Sequence, residues 1–123
     1  MINELLLEDY SKAKKLYENG LYKEAKKLFV NLTLKNPFVW EFWFSLSAVY
    51  QLENNYEQAI SNYNIASVID PQNPHIYFHL AECHLSINDK IKAYDYLLLA
   101  EKNCNDIILK DKILILKEQN YNN

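Results

Sequence analysis

Three side chains stand at a spacing that metal sites use: His75, His79 and Cys83 follow one another in steps of four residues. Imidazole and thiolate on one helix are zinc ligands in principle. Successive steps of four rotate them around the helix axis, however, and Cys83 falls where the apolar pattern packs inward. A tetrahedral site also needs a fourth ligand and groups that orient the first ones. The expectation is therefore no metal and no cofactor. Cys83 and Cys104 lie 21 residues apart with no C-x-x-C pair, so both read as free, buried thiols of a reducing compartment. His84 reads as a half-buried packing residue. Gly20 is the only glycine, which excludes a glycine-rich phosphate loop, and neither a nucleophile elbow nor a paired-carboxylate motif is present. No catalytic residue is expected, and the chain reads as a non-enzyme.

Charge narrows the partners. The net charge is −3, there is no arginine, and between Lys35 and Lys90 only acids occur: Glu41, Glu53, Glu57, Asp70, Glu82 and Asp89. Phosphate recognition relies on Arg and Lys clusters, so nucleic acid is not an expected partner. Lys12, Lys14, Lys15, Lys23, Lys26 and Lys27 interleave with acids and read as a solvated face. Half the residues are apolar, yet no stretch reaches the length of a membrane span, and no membrane insertion is expected. Met1 is followed by Ile2, Asn3 and Glu4 without a basic leader or a small-residue cleavage site, which implies an unprocessed cytosolic chain.

The elements that carry these residues are set by a period of 34 residues, seen in Ala25, Ala59 and Ala93, in Phe29, Tyr63 and Leu97, and in Leu32, Ala66 and Ala100. Each copy holds two apolar stripes at helical spacing separated by a polar break. In the middle copy these are Phe42, Leu46, Val49 and Tyr50, then Tyr56, Ala59, Ile60, Tyr63 and Ala66. Alanines recurring at one position let helices approach closely. Gly20, Asn54 and Asn88 occupy equivalent breaks, where a helix ends in the left-handed conformation. Pro37, Pro71 and Pro74 mark the joins. The pattern predicts helix pairs at about 6–19 and 22–35, 39–53 and 56–69, and 74–87 and 90–103. A final amphipathic helix over about 107–119, with Ile108, Ile113 and Leu116 inward, is expected to cover the end of the stack.

This pattern resembles the tetratricopeptide repeat. The resemblance implies an all-α solenoid of three helix pairs plus a C-terminal capping helix, a single domain over residues 1–123 with repeats at about 6–39, 40–73 and 74–105. In that family the first helix of each pair lines a concave groove. Its groove positions carry over onto Leu7, Tyr10, Lys14 and Tyr17, then Glu41, Phe44, Ala48 and Gln51, then His75, Phe78, Glu82 and Leu85. Tyr10, Phe44 and Phe78 share one repeat position, so three rings are expected to line the groove in register. Packing between helices is the competing reading. The groove reading is preferred because other apolar residues already fill the core positions. Relatives that clamp acidic C-termini of heat-shock chaperones use Lys, Asn and Arg. Here the matching positions hold Tyr10, Lys14, Ser45, His75 and His79, a lining suited to an apolar, extended segment.

A closer resemblance rests on Asp9-Tyr10-Ser11-Lys12-Ala13, on Tyr17-Glu18-Asn19-Gly20 and Tyr22-Lys23-Glu24-Ala25, and above all on Pro74-His75-Ile76-Tyr77-Phe78-His79-Leu80-Ala81-Glu82-Cys83. These stretches resemble the class II type III secretion chaperones, the SycD/LcrH group, the last of them through its P-x-x-x-F-H-x-A-E-C pattern. The resemblance implies a bacterial cytoplasmic chaperone. It would hold hydrophobic translocator proteins by an extended P-x-L-x-x-P-like segment against Tyr10, Tyr17, Phe44 and Phe78. Members of the group usually carry an extra N-terminal helical segment through which some dimerise. Only about five residues precede the first predicted helix here, so a homodimer stays open. A general tetratricopeptide adaptor in a larger assembly, holding a folded or helical partner, is the alternative.

Overall fold

The computed structural model describes residues 3–121. They form helices α1 (Glu4–Glu18), α2 (Tyr22–Lys35), α3 (Trp40–Leu52), α4 (Tyr56–Ile69), α5 (Pro74–Ser86), α6 (Lys90–Asn103) and α7 (Ile107–Tyr121). Consecutive helices pack on one another in chain order, as a repeat stack requires, because no single pair can bury its own apolar face. α1 begins two residues earlier than the stripe predicts. The Asn3 side chain accepts a hydrogen bond from the Leu6 amide and starts the helix there.

The repeat chemistry is visible at each turn. Gly20, Asn54 and Asn88 have φ of 78°, 61° and 64°, so three equivalent breaks reverse the chain through the same left-handed residue. The amide after each break donates to the carbonyl of Leu16, Tyr50 or His84, five residues back, and closes the helix end. The joins between repeats follow a second rule. Trp43 Nε1 donates to the Pro37 carbonyl at 2.8 Å, and Tyr77, one period later, donates its hydroxyl to the Pro71 carbonyl. Two different side chains thus fix two equivalent loops.

Ala13, Ala25, Ala59, Ala66, Ala81, Ala93 and Ala100 are all fully buried, which is where the helices cross most closely. Ser47 belongs with them: it is buried and donates to the Trp43 carbonyl at 2.7 Å. Two apolar clusters result. One joins α1, α2 and α3 around Phe29, Leu32, Phe42 and Val49, and the other runs from α4 to α7 around Tyr63, Ile76, Leu80 and Leu97. Cys83 and Cys104 lie buried and unpaired.

α7 caps the stack with Ile113 and Leu116 inward as expected, but Leu109 takes the inward place expected of Ile108. Leu109 and Ile113 are buried and Leu116 is packed against the core, whereas Ile108 is 64% exposed. The Asp106 side chain accepts from the Ile108 amide and the Lys110 amide donates to the Asp106 carbonyl, so the cap sets the rotation of the helix. Its far end is latched to α6. Tyr121 donates to the Lys90 carbonyl at 2.7 Å, Lys90 Nζ reaches the Asn120 carbonyl, and the Tyr121 ring meets Tyr94.

Candidate peptide-binding groove

α1, α3 and α5 present side chains to one face, and two adjoining hollows run across it. The first, of about 240 Å³, is lined by Lys14, Tyr17, Glu18, Phe44, Ser45 and Ala48, with Phe29 at its floor. The second, of about 380 Å³, shares Tyr17 and Ala48 with it and continues over Gln51, Tyr56, Tyr63, His79 and Glu82. Beyond Glu82, the residues Leu85 and Ser86 of α5 meet Leu116 and Asn120 of α7. The groove therefore crosses all three repeats and ends against the cap.

The aromatic residues divide by depth. Phe44 is half-buried; its ring meets Trp40, Tyr63 and His79 edge-on, with centroids 5.3–5.8 Å apart, the spacing aromatic pairs prefer. Tyr10 is also half-buried, packed on Phe29 and Phe42, with its hydroxyl 3.4 Å from Ser45 Oγ and Lys14 Nζ over its face. Phe78 departs from the expected register of three rings. It is only 8% exposed and belongs to the core cluster that α7 covers.

The middle of the groove holds a directed chain of hydrogen bonds. Tyr63 donates its hydroxyl to Gln51 Oε1 at 2.9 Å, and Gln51 Nε2 donates to Glu82 Oε1 at 3.1 Å. His79 Nδ1 lies 2.7 Å from the same oxygen, and its ring stacks on Tyr63 at 5.7 Å and 9°. Burial alone would raise the Glu82 carboxyl. The hydrogen bond and charge of His79, the hydrogen bond from Gln51 and the distant charge of Lys112 outweigh it, and the group sits below the usual carboxylate range. A carboxylate only accepts, so His79 Nδ1 carries the donated proton. Burial pushes the Tyr63 phenol far above its ordinary value. Burial, with Glu82 next to it, pushes the Cys83 thiol up to about 12, which leaves no thiolate to react near neutral pH.

A family model described as a TPR repeat matches residues 48–87. Over 106 residues the chain is 32% identical to the Low calcium response locus protein H of Yersinia pestis, covering 83% of this chain and 63% of that protein. It thus spans a little under two thirds of that relative's length. The type III secretion translocator chaperone SycD of Yersinia enterocolitica is 30% identical, over 93% of this chain and 86% of SycD, with a TM-score of 0.82. The chain belongs to the SycD/LcrH family of translocator chaperones. SycD in complex with a peptide of the translocator YopD is similar too, at 28% identity over 96% of this chain and 93% of that one, with a TM-score of 0.91.

Set on this SycD-like frame, the sequence-derived groove residues fall into two groups. Lys14, Tyr17, Phe44, Ala48, Gln51, Glu82 and Leu85 line the hollows. Leu7, Glu41 and His75 sit nearer the N-terminal ends of α1, α3 and α5, outside them, and Tyr10 forms the wall behind Phe29. Tyr63 was not among the expected groove residues, and His79 entered only at a position matching the carboxylate clamp of other relatives, although Tyr63 carried a signal. It places a hydroxyl where Phe29 and Leu97 stand one period away, and a buried hydroxyl needs a partner. His75, His79 and Cys83 do not converge: His75 is exposed, His79 turns to Glu82 and Cys83 is buried in the core. Among the described residues no group of His, Cys, Asp and Glu is placed to hold a metal, and no helix is long and apolar enough to cross a membrane.

Proposed function

We propose that the chain is a non-enzymatic chaperone of the bacterial cytoplasm that holds an extended apolar segment of a type III secretion translocator in this groove. The observation that carries the reading is the pair of adjoining hollows crossing all three repeats, on a fold that superposes on SycD holding a YopD peptide. An extended segment sends alternate side chains to one face, so successive hollows can each take one. A P-x-L-x-x-P-like segment has the required stiffness. Binding alone withdraws the client from aggregation by mass action, and no nucleotide step is needed.

Phe44 separates this reading from its rivals. Its ring walls the first hollow while the buried core lies beneath it. Phe44→Ala is expected to keep parental helicity by circular dichroism and to weaken translocator binding by about 1–3 kcal/mol, the range of an aromatic anchor. Phe78→Ala is expected to cost stability as well, because that ring is buried. The chain recovered from its own bacterium should carry a protein with long apolar segments, identified by mass spectrometry, and Phe44→Ala should lose it. Recovery of a folded partner whose affinity ignores Phe44→Ala would replace the chaperone with a general tetratricopeptide adaptor.

A further inference from the structure

The second hollow is polar where the first is apolar, and Glu82 is the one carboxylate in its lining. Both donors that reach the Glu82 carboxylate land on Oε1: Gln51 Nε2 at 3.1 Å and His79 Nδ1 at 2.7 Å. Oε2 is left for a partner. The Gln51 carbonyl already accepts from Tyr63, and that donation fixes which way the amide points. What the network leaves open to a visitor is therefore the acceptor capacity of Glu82 Oε2.

Apart from His79, no group in the hollow pairs with the charge of that carboxylate. Its lining contains no lysine or arginine, and none occurs in the sequence between Lys35 and Lys90. His79 from α5 itself, Gln51 from α3 and Tyr63 from α4 face Glu82, and Lys112 of α7 acts on it without forming an ion pair. The Glu82 side chain is only 33% exposed, so a cation placed on it is screened less than on an open surface. Tyr17 and Tyr56 line the same hollow, and aromatic walls favour a cation.

Comparison of the repeats argues against a merely structural network. At the Glu82 position the first copy has Lys14 and the second Ala48. At the Gln51 position the neighbours are Tyr17 and Leu85, and at the Tyr63 position Phe29 and Leu97. At each of these positions the fold thus stands in two of its three copies without the polar group found in the other. These three polar groups occur together only where they converge.

We propose that the second hollow is a subsite for a basic side chain of the client, lysine or arginine, held by Glu82 Oε2 beside an apolar residue in the first hollow. This rests on the groove being the client site. It adds direction: a client whose basic residue lies on one side of its apolar residue fits the two hollows one way round.

The test uses fluorescein-labelled synthetic peptides of the pattern P-x-L-x-x-P, with lysine, norleucine or glutamate at each x in turn, titrated by fluorescence anisotropy. Norleucine keeps the aliphatic stem and removes the charge. At one x position the lysine peptide should bind the parental chain about tenfold more tightly than its norleucine counterpart, the size of one charge-assisted hydrogen-bonded contact. In Glu82→Gln, folded by circular dichroism, that ratio should fall to about one. A ratio near one at every x in the parental chain, or a lysine preference that survives Glu82→Gln, overturns the subsite. Peptides that bind and depend on Phe44 without a lysine preference leave the groove reading standing and remove only the subsite. Failure of every peptide to bind removes both.

Discussion

His84 stands where the first repeat has Leu16 and the second Tyr50, and it is only 5% exposed. Its ring stacks on Tyr96 at 5.4 Å, and Nδ1 has no hydrogen-bond partner, the Asp89 carboxylate being 3.8 Å away. Burial lowers its pKa; the Asp89 charge opposes that and Lys92 adds to it, leaving the group below the usual imidazole range. The folded chain thus resists a proton that the unfolded chain accepts. Above about pH 6.5 the ring is neutral in both states and costs nothing, and stability falls as pH drops through that value. The melting temperature should decline from pH 7.5 to 5.5. His84→Tyr, which installs the middle repeat's residue, should flatten the decline, and an equal slope in both proteins would sink the assignment. The sequence showed an aromatic packing residue at this position. It did not show the depth of burial, because that depends on how closely α6 lies over α5.

At the scale of the helix, the second member of each pair starts at an equivalent residue: Leu21, Asn55 and Asp89. Their backbones agree, with φ from −88° to −96° and ψ from 65° to 76°. Asn55 and Asp89 accept a hydrogen bond from the amide three residues on, whereas Leu21 makes no side-chain cap. Leu21→Asn should therefore stabilise the chain by about 0.5–1 kcal/mol, read as a higher urea midpoint at unchanged slope. Unaltered stability would mean that the half-exposed leucine contributes as much by contact as the missing cap would by hydrogen bonding. Helix existence and pairing were legible because 34-residue spacing repeats the same caps, breaks and alanines three times. The first inward residue of α7 was not, since that helix has no counterpart in the repeats. Ile113 and Leu116 were legible as inward, but the start of the helix is apolar nearly all round, with Ile107 and Ile108 exposed, so periodicity could not tell Leu109 from Ile108. The Asp106 cap decided it.

For the whole molecule the lesson concerns how a stack distributes its stability and its groove. The aligned groove positions of α1, α3 and α5 could be read residue by residue because repeats place equivalent residues on one surface. The contacts between repeats could not. Gln51 meets Glu82 and Tyr63 because α3, α4 and α5 are neighbours in space, and no local pattern announces that. Each repeat is stabilised by its neighbours, so the last pair depends on α7. Ending the chain at Asn105 would expose the surface that Leu109 and Ile113 cover and remove the Lys90 and Tyr121 latch. Burial of a large aliphatic side chain contributes about 1.5–3 kcal/mol, so the loss should be roughly 3–6 kcal/mol, a large part of the 5–15 kcal/mol typical of a domain. Thermal unfolding followed by far-ultraviolet circular dichroism should shift down by more than 10 °C, since about 1 kcal/mol moves a domain of this size by several degrees. Helices α1 to α3 should keep their helical signal longest, because their core around Phe29, Phe42 and Val49 does not include the cap. A truncated chain that melts at the parental temperature would show that the third repeat closes its own end, and α7 would lose its role as cover.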